Sequence, residues 1–305
     1  EAILMGDRFR RASFRINLGH QFDEKIRIGV SANLVSTFRN MTPNNNVPNG
    51  TVNGALYTPV YLPLFNEDGS YARPSLFENP VAAIKETIFK DVGSRATANA
   101  FGEYKITSGL KFRTSWSIDF NESKAVNFYN SKLQLGQAPV NGTGTTALNR
   151  NVTLINEQLL TYDKVWDNIH QFNATIGNTL QKETFENTSL TGIGYPTDEF
   201  SQISSSASQT GTSSESQAGL VSFFGRLSYG YNGKYMIDAS VRADASSRFG
   251  KDNRWGYFPA VGIAWRASQE EFIKKLNLFS ELKFNASYGS TGNQNGIPDF
   301  AALGL

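Results

Sequence analysis

Residues 222–250 read SFFGRLSYGYNGKYMIDASVRADASSRFG, and this stretch decides the fold. Tyr235, Ile237, Ala239 and Val241 alternate with Met236, Asp238, Ser240 and Arg242. Alternation with a period of two gives a strand one apolar and one polar face. Just before it stands Asn232-Gly233, and a further strand-like run occupies 218–231. Asn-Gly between two such runs is the strongest short hairpin signal, because a type I′ turn needs positive φ at both central residues. The stretch therefore reads as an antiparallel hairpin.

The same alternation recurs outward along the chain. It runs through Phe14, Ile16 and Leu18, through Ile26 to Leu34, through Leu110 to Phe120, and through Leu282, Phe284, Ala286 and Tyr288. About ten strands are expected, near 10–20, 25–37, 95–106, 109–121, 156–164, 169–185, 218–231, 234–247, 256–267 and 281–290. The pattern is least regular over 156–164 and 169–185. Connections alternate in length. His20–Glu24, Thr107–Ser108, Asp163–Asn168 and Asn232-Gly233 are short, whereas 38–94, 122–155, 186–217 and 248–255 are long. Residues 268–280 make a short connection enlarged by a helical turn, with Ser268 and Glu271 fitting a capping box and Phe272, Leu276 and Phe279 its apolar side. Long loops at one end and short turns at the other are the pattern of a transmembrane up-and-down barrel. The apolar set of each strand is then the lipid-facing set, and a one-residue slip would turn it into the lumen.

Composition agrees. The chain has 305 residues, 27 Gly, 22 Phe and 12 Tyr, and 18% charged residues, an all-β balance of pleat-filling aromatics and turn formers. With no cysteine there is no disulfide framework, Cys-based zinc site, iron–sulfur cluster or thiol nucleophile. His20 and His170 alone leave little for histidine chemistry, so no metal, cofactor or catalytic residue is expected. A net charge of +2 without a basic stripe argues against nucleic acid. No run approaches the ~18 apolar residues a membrane helix needs, but strands can cross when only alternate residues are apolar. Trp116, Trp255, Tyr257, Phe258 and Trp265 sit near strand ends or on apolar faces, as interfacial aromatic girdles do.

Four stretches then carry a resemblance: R-x-D-x-S-S-R-F-G over Arg242 to Gly250, R-W-G-Y-F-P over Arg254 to Pro259, A-W-R over Ala264 to Arg266, and S-Y-G-x-T-G-N-Q over Ser287 to Gln294. In this order they resemble the barrel of SusC/RagA-type TonB-dependent outer-membrane transporters of the Bacteroidetes. Tyr61–Ala72 with its N-E-D-G-S-Y, Asn79-Pro80, and Thr191–Pro196 are similar to that family's outer loops. The resemblance implies an all-β, transmembrane antiparallel barrel, of which this chain supplies about ten of 22 strands. It implies import of a bulky nutrient, an oligosaccharide or a peptide, driven through TonB, with a SusD-like surface lipoprotein over the barrel mouth and membrane lipid around it. Residues 1–305 would be a partial barrel domain without plug, signal peptide or C-terminal strands, because the chain starts at Glu1-Ala2 and stops at Gly304-Leu305. Two edges, near 10–20 and 281–290, would then be left unpaired. A passive porin or adhesive barrel is the alternative of another class. A soluble carbohydrate-binding or carbohydrate-active β-protein is a third, and the active form predicts a paired acid dyad at glycosidase separations that the alternating faces do not show.

Several motifs read better as local structure. Gly142-Thr143-Gly144-Thr145-Thr146-Ala147 fits G-x-G-x-x-A but follows Pro139 in an Asn/Thr-rich context, and reads as a flexible loop. Sequons at Asn49, Asn121, Asn141, Asn151 and Asn173 fit chance in such a composition. Asn66-Glu67-Asp68-Gly69 lacks the rest of a calcium loop and reads as a β-turn. Ser204–Ser206 through Ser213-Ser214 reads as a loop tip.

Two sets of residues are candidates for binding. Arg226, Asp238, Arg242, Asp244 and Arg248 are placed to line the lumen as contacts for substrate or plug, or as a ladder of ion pairs holding the wall in register. Tyr57, Tyr61, Phe65 and Tyr71, in the longest outer loop, could stack on sugar rings or a partner, or on one another to stiffen the loop.

Overall fold

The computed structural model describes residues 5–43, 50–73, 76–294 and 296–301. Ten strands form one antiparallel sheet in strict chain order: β1 Arg8–Gln21, β2 Ile26–Asn40, β3 Thr87–Lys105, β4 Leu110–Tyr129, β5 Thr143–Trp166, β6 His170–Ile193, β7 Ser208–Tyr231, β8 Tyr235–Ser246, β9 Trp255–Trp265 and β10 Phe284–Gly289. The expected strand count and order hold, and among the described residues the sheet is open, with β1 and β10 at its edges. Alternate connections must share an end of such a sheet, so 41–86, 130–142, 194–207 and 247–254 lie together.

The register confirms which residues share a face. Val30 lies opposite Ala100, Ala100 opposite Trp116, Trp116 opposite Asn156, Asn156 opposite Leu180, and Leu180 opposite Val221. Ile237 lies opposite Tyr229 and Ile263, and Ala286 opposite Ile263. One side of the sheet thus carries the large apolar side chains of the strands from edge to edge, and they are exposed: Phe14, Leu18, Trp116, Ile176 and Ile263 are each near 60% accessible. Such a surface is intolerable in water and expected against lipid. The opposite side carries Arg15, Asn33, Asn99, Ser117 and Asp119 around a polar hollow, the wet side of a barrel wall.

The turns explain themselves. Asn232 and Gly233 both have positive φ (52° and 64°), and Lys234 N–H closes the turn on Tyr231 O at 3.0 Å. Asp167 and Asn168 repeat the device at φ 56° and 54° between β5 and β6.

Five expectations are corrected. β3 to β7 reach much further toward the long-loop end than alternation indicates: β5 begins at Thr143 rather than 156, β6 ends at Ile193, and β7 begins at Ser208. The loops 122–155 and 186–217 shrink to 130–142 and 194–207 accordingly, and the connection at 247–254 is short. A span of 24 residues far exceeds the ~10 that cross a membrane. The excess stands in water on both faces, where Asn, Ser and Thr suit either side and leave no alternation. For the same reason Thr143–Ala147 is strand rather than flexible loop, and Ser213-Ser214 lies inside β7. Ser268 is not a helix cap. It sits in the 3-10 turn Ala267–Gln269, and the short helix Glu271–Lys274 follows Glu270 without a side-chain cap. Instead Glu270 accepts hydrogen bonds from Tyr235 Oη (2.7 Å), Lys234 Nζ (3.0 Å) and Trp265 Nε1 (3.3 Å). β10 starts at Phe284, so Leu282 precedes it. Finally, Phe258 lies opposite Arg242 on the polar face, not in the lipid-facing girdle. The sequon at Asn49 and the chain ends 1–4 and 302–305 fall outside the described residues.

Candidate functional site

The fully buried large side chains lie at the long-loop end, Phe128 near the end of β4 and Leu133 in the connection that follows it. Phe128 and Leu133 are both 1% exposed, and they sit where three long connections meet. The connection 41–86 contains two helices, α1 Thr51–Tyr57 and α2 Pro80–Lys85. Asn79 starts α2: its Oδ1 accepts from Val81 N and Ala82 N, and Pro80 takes the first position, where no N–H is needed. Its Nδ2 donates to Ala72 O (2.8 Å) and Leu64 O (3.2 Å), so one side chain both caps a helix and clamps the preceding turn.

Two carboxylates join this connection to its neighbour. Glu78 is 2% exposed, accepts from Asn79 N (3.0 Å) and from Gln134 N in the 130–142 connection (2.5 Å), and is ion-paired with Arg73, whose Nε lies 3.1 Å away. Arg73 also donates to Gln137 Oε1 at 2.8 Å and to Lys132 O. Glu86 accepts from Tyr71 Oη (2.9 Å), Asn130 Nδ2 (2.6 Å) and Lys132 Nζ (3.4 Å). Burial works against the Glu86 charge, yet these donors and the Lys132 cation outweigh it and hold the carboxyl below its usual range. Burial, with the hydrogen bond to Glu86 and its charge, pushes the Tyr71 phenol up to about 12.

The 194–207 connection joins the same assembly. Ser131 N and Oγ donate to Asp198 at 2.7 and 2.8 Å, and Tyr195 N donates to Asn141 O at 2.6 Å. The Tyr195 ring packs edge-on against Phe128, centroids 4.9 Å apart. A Cβ on Gly144 would come within 2.5 Å of Tyr195 Oη, and one on Gly192 within 2.7 Å. The glycine spacing that mimics a nucleotide motif therefore makes room for a tyrosine ring. The three connections form one rigid cap over the end of the wall.

The four loop aromatics divide. Phe65 and Tyr71 face each other across an isolated bridge, rings 5.1 Å apart, and close a small hairpin whose turn is Asn66–Gly69, with Gly69 N on Asn66 O at 3.0 Å. Tyr57 stacks on Phe77 at 4.6 Å, while Tyr61 is 84% exposed beside a fully exposed Val60. Alternation could not find Glu78, Glu86, Asn130 or Tyr195. Asn79-Pro80, a cap followed by proline, is the one signal that marks this fold of the loop.

On the polar face the five ladder residues come together with partners. Arg226 Nη2 meets Asp238 at 2.8 Å, and Ser228 Oγ also donates to Asp238. Arg242 Nε meets Asp244 at 2.7 Å and its Nη2 donates to Ser222 Oγ at 2.8 Å. Arg248 reaches Asp299, beyond β10, at 2.7 Å and Glu183 of β6 at 4.0 Å. The segment after β10 therefore returns to the long-loop end, as expected. Arg95 and Asp119 make a further two-bonded pair on β3 and β4, at 2.8 and 3.2 Å. Among the described residues no cluster of His, Asp and Glu could hold a metal.

Comparison with known proteins matches this architecture. The profile of the family described as TonB dependent receptor-like, beta-barrel, covers residues 7–304. TonB-dependent receptor P26 of Formosa agariphila is 30% identical over 100% of this chain and 31% of its own length, and receptor P39 of the same organism is 29% identical over 98% and 27%. SusC of Bacteroides thetaiotaomicron is 48% identical over 28% of this chain and 9% of its own length. Among solved structures, the RagAB peptide transporter superposes with a TM-score of 0.80 at 25% identity, over 96% of this chain and 34% of that one. The chain thus spans under a third of the curated relatives that it matches along its length. These proteins are named as receptors and transporters rather than enzymes. The chain belongs to the TonB-dependent receptor β-barrel family of outer-membrane proteins.

Proposed function

We propose that this chain is barrel wall and outer cap of a TonB-driven importer of a bulky nutrient, an oligosaccharide or a peptide, working with a SusD-like surface lipoprotein. The observation that carries the reading is the cap itself. Glu78 and Glu86 lock 41–86 to 130–142, Ser131 and Asp198 lock 130–142 to 194–207, and Val60 and Tyr61 project from the result. A rigid mount with an apolar, aromatic tip suits contact with a partner or a stacked ligand. Tyr57 and Tyr61 are the contact residues in this reading, and Phe65 and Tyr71 hold the loop that presents them. Arg226, Asp238, Arg242, Asp244 and Arg248 keep the wall in register and offer plug or substrate a charged, hydrogen-bonding surface. No covalent step is required of any of them.

The test uses the full-length transporter in its own cells. Labelled oligosaccharides and peptides are offered to wild type, to cells lacking TonB, and to a variant lacking residues 45–75. Uptake of one class should vanish without TonB and fall in the deletion, together with pull-down of the lipoprotein. Uptake that persists without TonB would refute energised import. Unchanged uptake and pull-down at normal surface expression would remove the loop from the mechanism.

A further inference from the structure

The connection between β9 and β10 carries apolar side chains that, among the described residues, neither the wall nor the cap covers. Phe272, Leu276, Leu278 and Phe279 are 60%, 54%, 72% and 53% exposed. Phe272 and Leu276 stand one turn apart, on the helix Glu271–Lys274 and the bonds that prolong it, Leu276 N on Ile273 O (3.0 Å) and Asn277 N on Lys274 O (3.1 Å). Asn277 then takes a positive φ of 50° and ends the helix. Ser268 N donates to Leu282 O at 3.0 Å and closes the base of the connection. Glu271, Lys274 and Lys275 are exposed in the same stretch, so the connection is amphipathic. Several large apolar side chains left together in solvent mark a contact surface.

The position of the connection says what covers them. Tyr235 lies two residues before Ile237 and so faces lipid. The register carries that face across β5 to β10 in one row: Trp166, His170, Tyr231, Tyr235, Trp265 and Phe284. Ring centroids are 5.3 Å apart at Trp166–His170 and at His170–Tyr231, 6.4 Å at Tyr231–Tyr235 and 5.8 Å at Trp265–Phe284. Such a row at the short-turn end stands at the periplasmic membrane interface of a barrel. Glu270 joins Tyr235 to Trp265, accepting from Tyr235 Oη at 2.7 Å and from Trp265 Nε1 at 3.3 Å. Both donors belong to lipid-facing side chains, so the carboxylate stands outside the wall, at the level of the interface. Lys234 Nζ, 3.0 Å away, ties the same carboxylate to the turn between β7 and β8. The helix that begins at the next residue is therefore launched on the lipid side and not into the lumen.

We propose that residues 271–279 form an interfacial anchor, which lays Phe272, Leu276, Leu278 and Phe279 into the inner, phospholipid leaflet of the outer membrane, with Glu270 as its positioning residue. The anchor prolongs the lipid-facing side of the sheet without a break at the Tyr235–Trp265 row. That continuity favours lipid over a protein partner. Lys274 and Lys275 suit the phosphate layer, because a lysine can hold its ammonium among headgroups while its stem lies along apolar surface. The anchor is independent of what the transporter imports.

The experiment takes the full-length transporter, with any other cysteine replaced, in vesicles of phosphatidylethanolamine and phosphatidylglycerol. A nitroxide is placed on Leu276→Cys or Phe279→Cys, and its collisions with oxygen and with a water-soluble nickel chelate are read. Both labels should meet oxygen and not nickel, at a depth of about 5–10 Å into the headgroup–acyl boundary. Val261→Cys, on the lipid-facing side of β9, should read deeper, and Glu67→Cys in the cap should read water. Glu270→Ala should raise nickel collisions at both turn labels toward the value at Glu67→Cys. Where that variant does not fold, Glu270→Gln, which keeps the shape and loses the charge, is read in its place. Nickel collisions at the water level with Glu270 intact overturn the anchor. Collision with neither probe overturns it too, because a protein surface, the plug or a second copy, would then cover the turn. An unchanged depth on loss of Glu270 overturns the positioning role.

Discussion

Tyr71 Oη donates to Glu86 Oε1 at 2.9 Å, across fifteen positions of a single outer connection. The bond is a pH-limited latch. Glu86 has a lowered pKa, so its contribution is present above the ordinary carboxylate range and lost as pH falls through the depressed value. Tyr71 has a raised pKa, so its contribution is complete below the ordinary phenol value near 10 and lost as pH rises through about 12. The expected window of full cap order therefore runs from weakly acidic to about pH 10. Difference ultraviolet titration of wild type against Tyr71→Phe should reveal one phenol ionising near 12. A missing phenol that titrates near 10 would show the latch to be open in solution.

Glu78 predicts a local collapse rather than a global one. Its carboxylate accepts from Asn79 N and Gln134 N and is ion-paired with Arg73. Glu78→Ala leaves buried donors and one cation without it, a loss on the order of 3–5 kcal/mol within the cap. Hydrogen exchange should quicken over both 78–85 and 130–137, while β8 and β9 keep their protection. Acceleration confined to 78–85 would mean that Glu78 does not couple the two connections.

Much of this fold is legible in the sequence, and the boundary of what is legible has a physical cause. Ile26 to Leu34 and Tyr235 to Val241 show their strands because one face meets lipid and the other water, so residue type must alternate. Thr143–Arg150 and Ser208–Gln217 conceal theirs because both faces meet water beyond the membrane. The ladder Arg226–Asp238 can be seen in advance, since paired charges fall at positions set by a register that the Asn232-Gly233 turn fixes. The cap cannot. Glu78 meets Gln134, and Ser131 meets Asp198, across connections whose folding obeys no period.

The Gly144–Tyr195 contact makes a prediction with its own rescue. Gly144→Ala drives a methyl group against Tyr195 Oη, at 2.5 Å before relaxation. Overpacking of this kind costs about 1–3 kcal/mol. Tyr195→Phe removes the obstructing atom. The double variant should therefore be more stable than the sum of the two single changes, read as melting of the cap or as protease resistance of 130–142. Strict additivity would place the cost elsewhere.

Sidedness can be tested with adjacent residues of β2. Val30 lies in the apolar face between Leu18 and Ala100, and Ser31 in the polar face between Asn17 and Asn99. The two differ by one position and by nothing else in their backbone setting. Val30→Arg puts a guanidinium near the middle of the hydrocarbon, which costs about 2–4 kcal/mol in barrels of this class. Ser31→Arg puts the same group into a wet hollow beside Arg15 and Asp119, where water remains and a carboxylate is within the lining. In the full-length transporter folded into vesicles, V30R should lower the folded fraction in denaturant while S31R leaves it close to wild type. The order of effects carries the argument, because the reverse result would require the apolar side chains of all ten strands to face the lumen, and equal effects would require a wall wetted, or buried, on both sides.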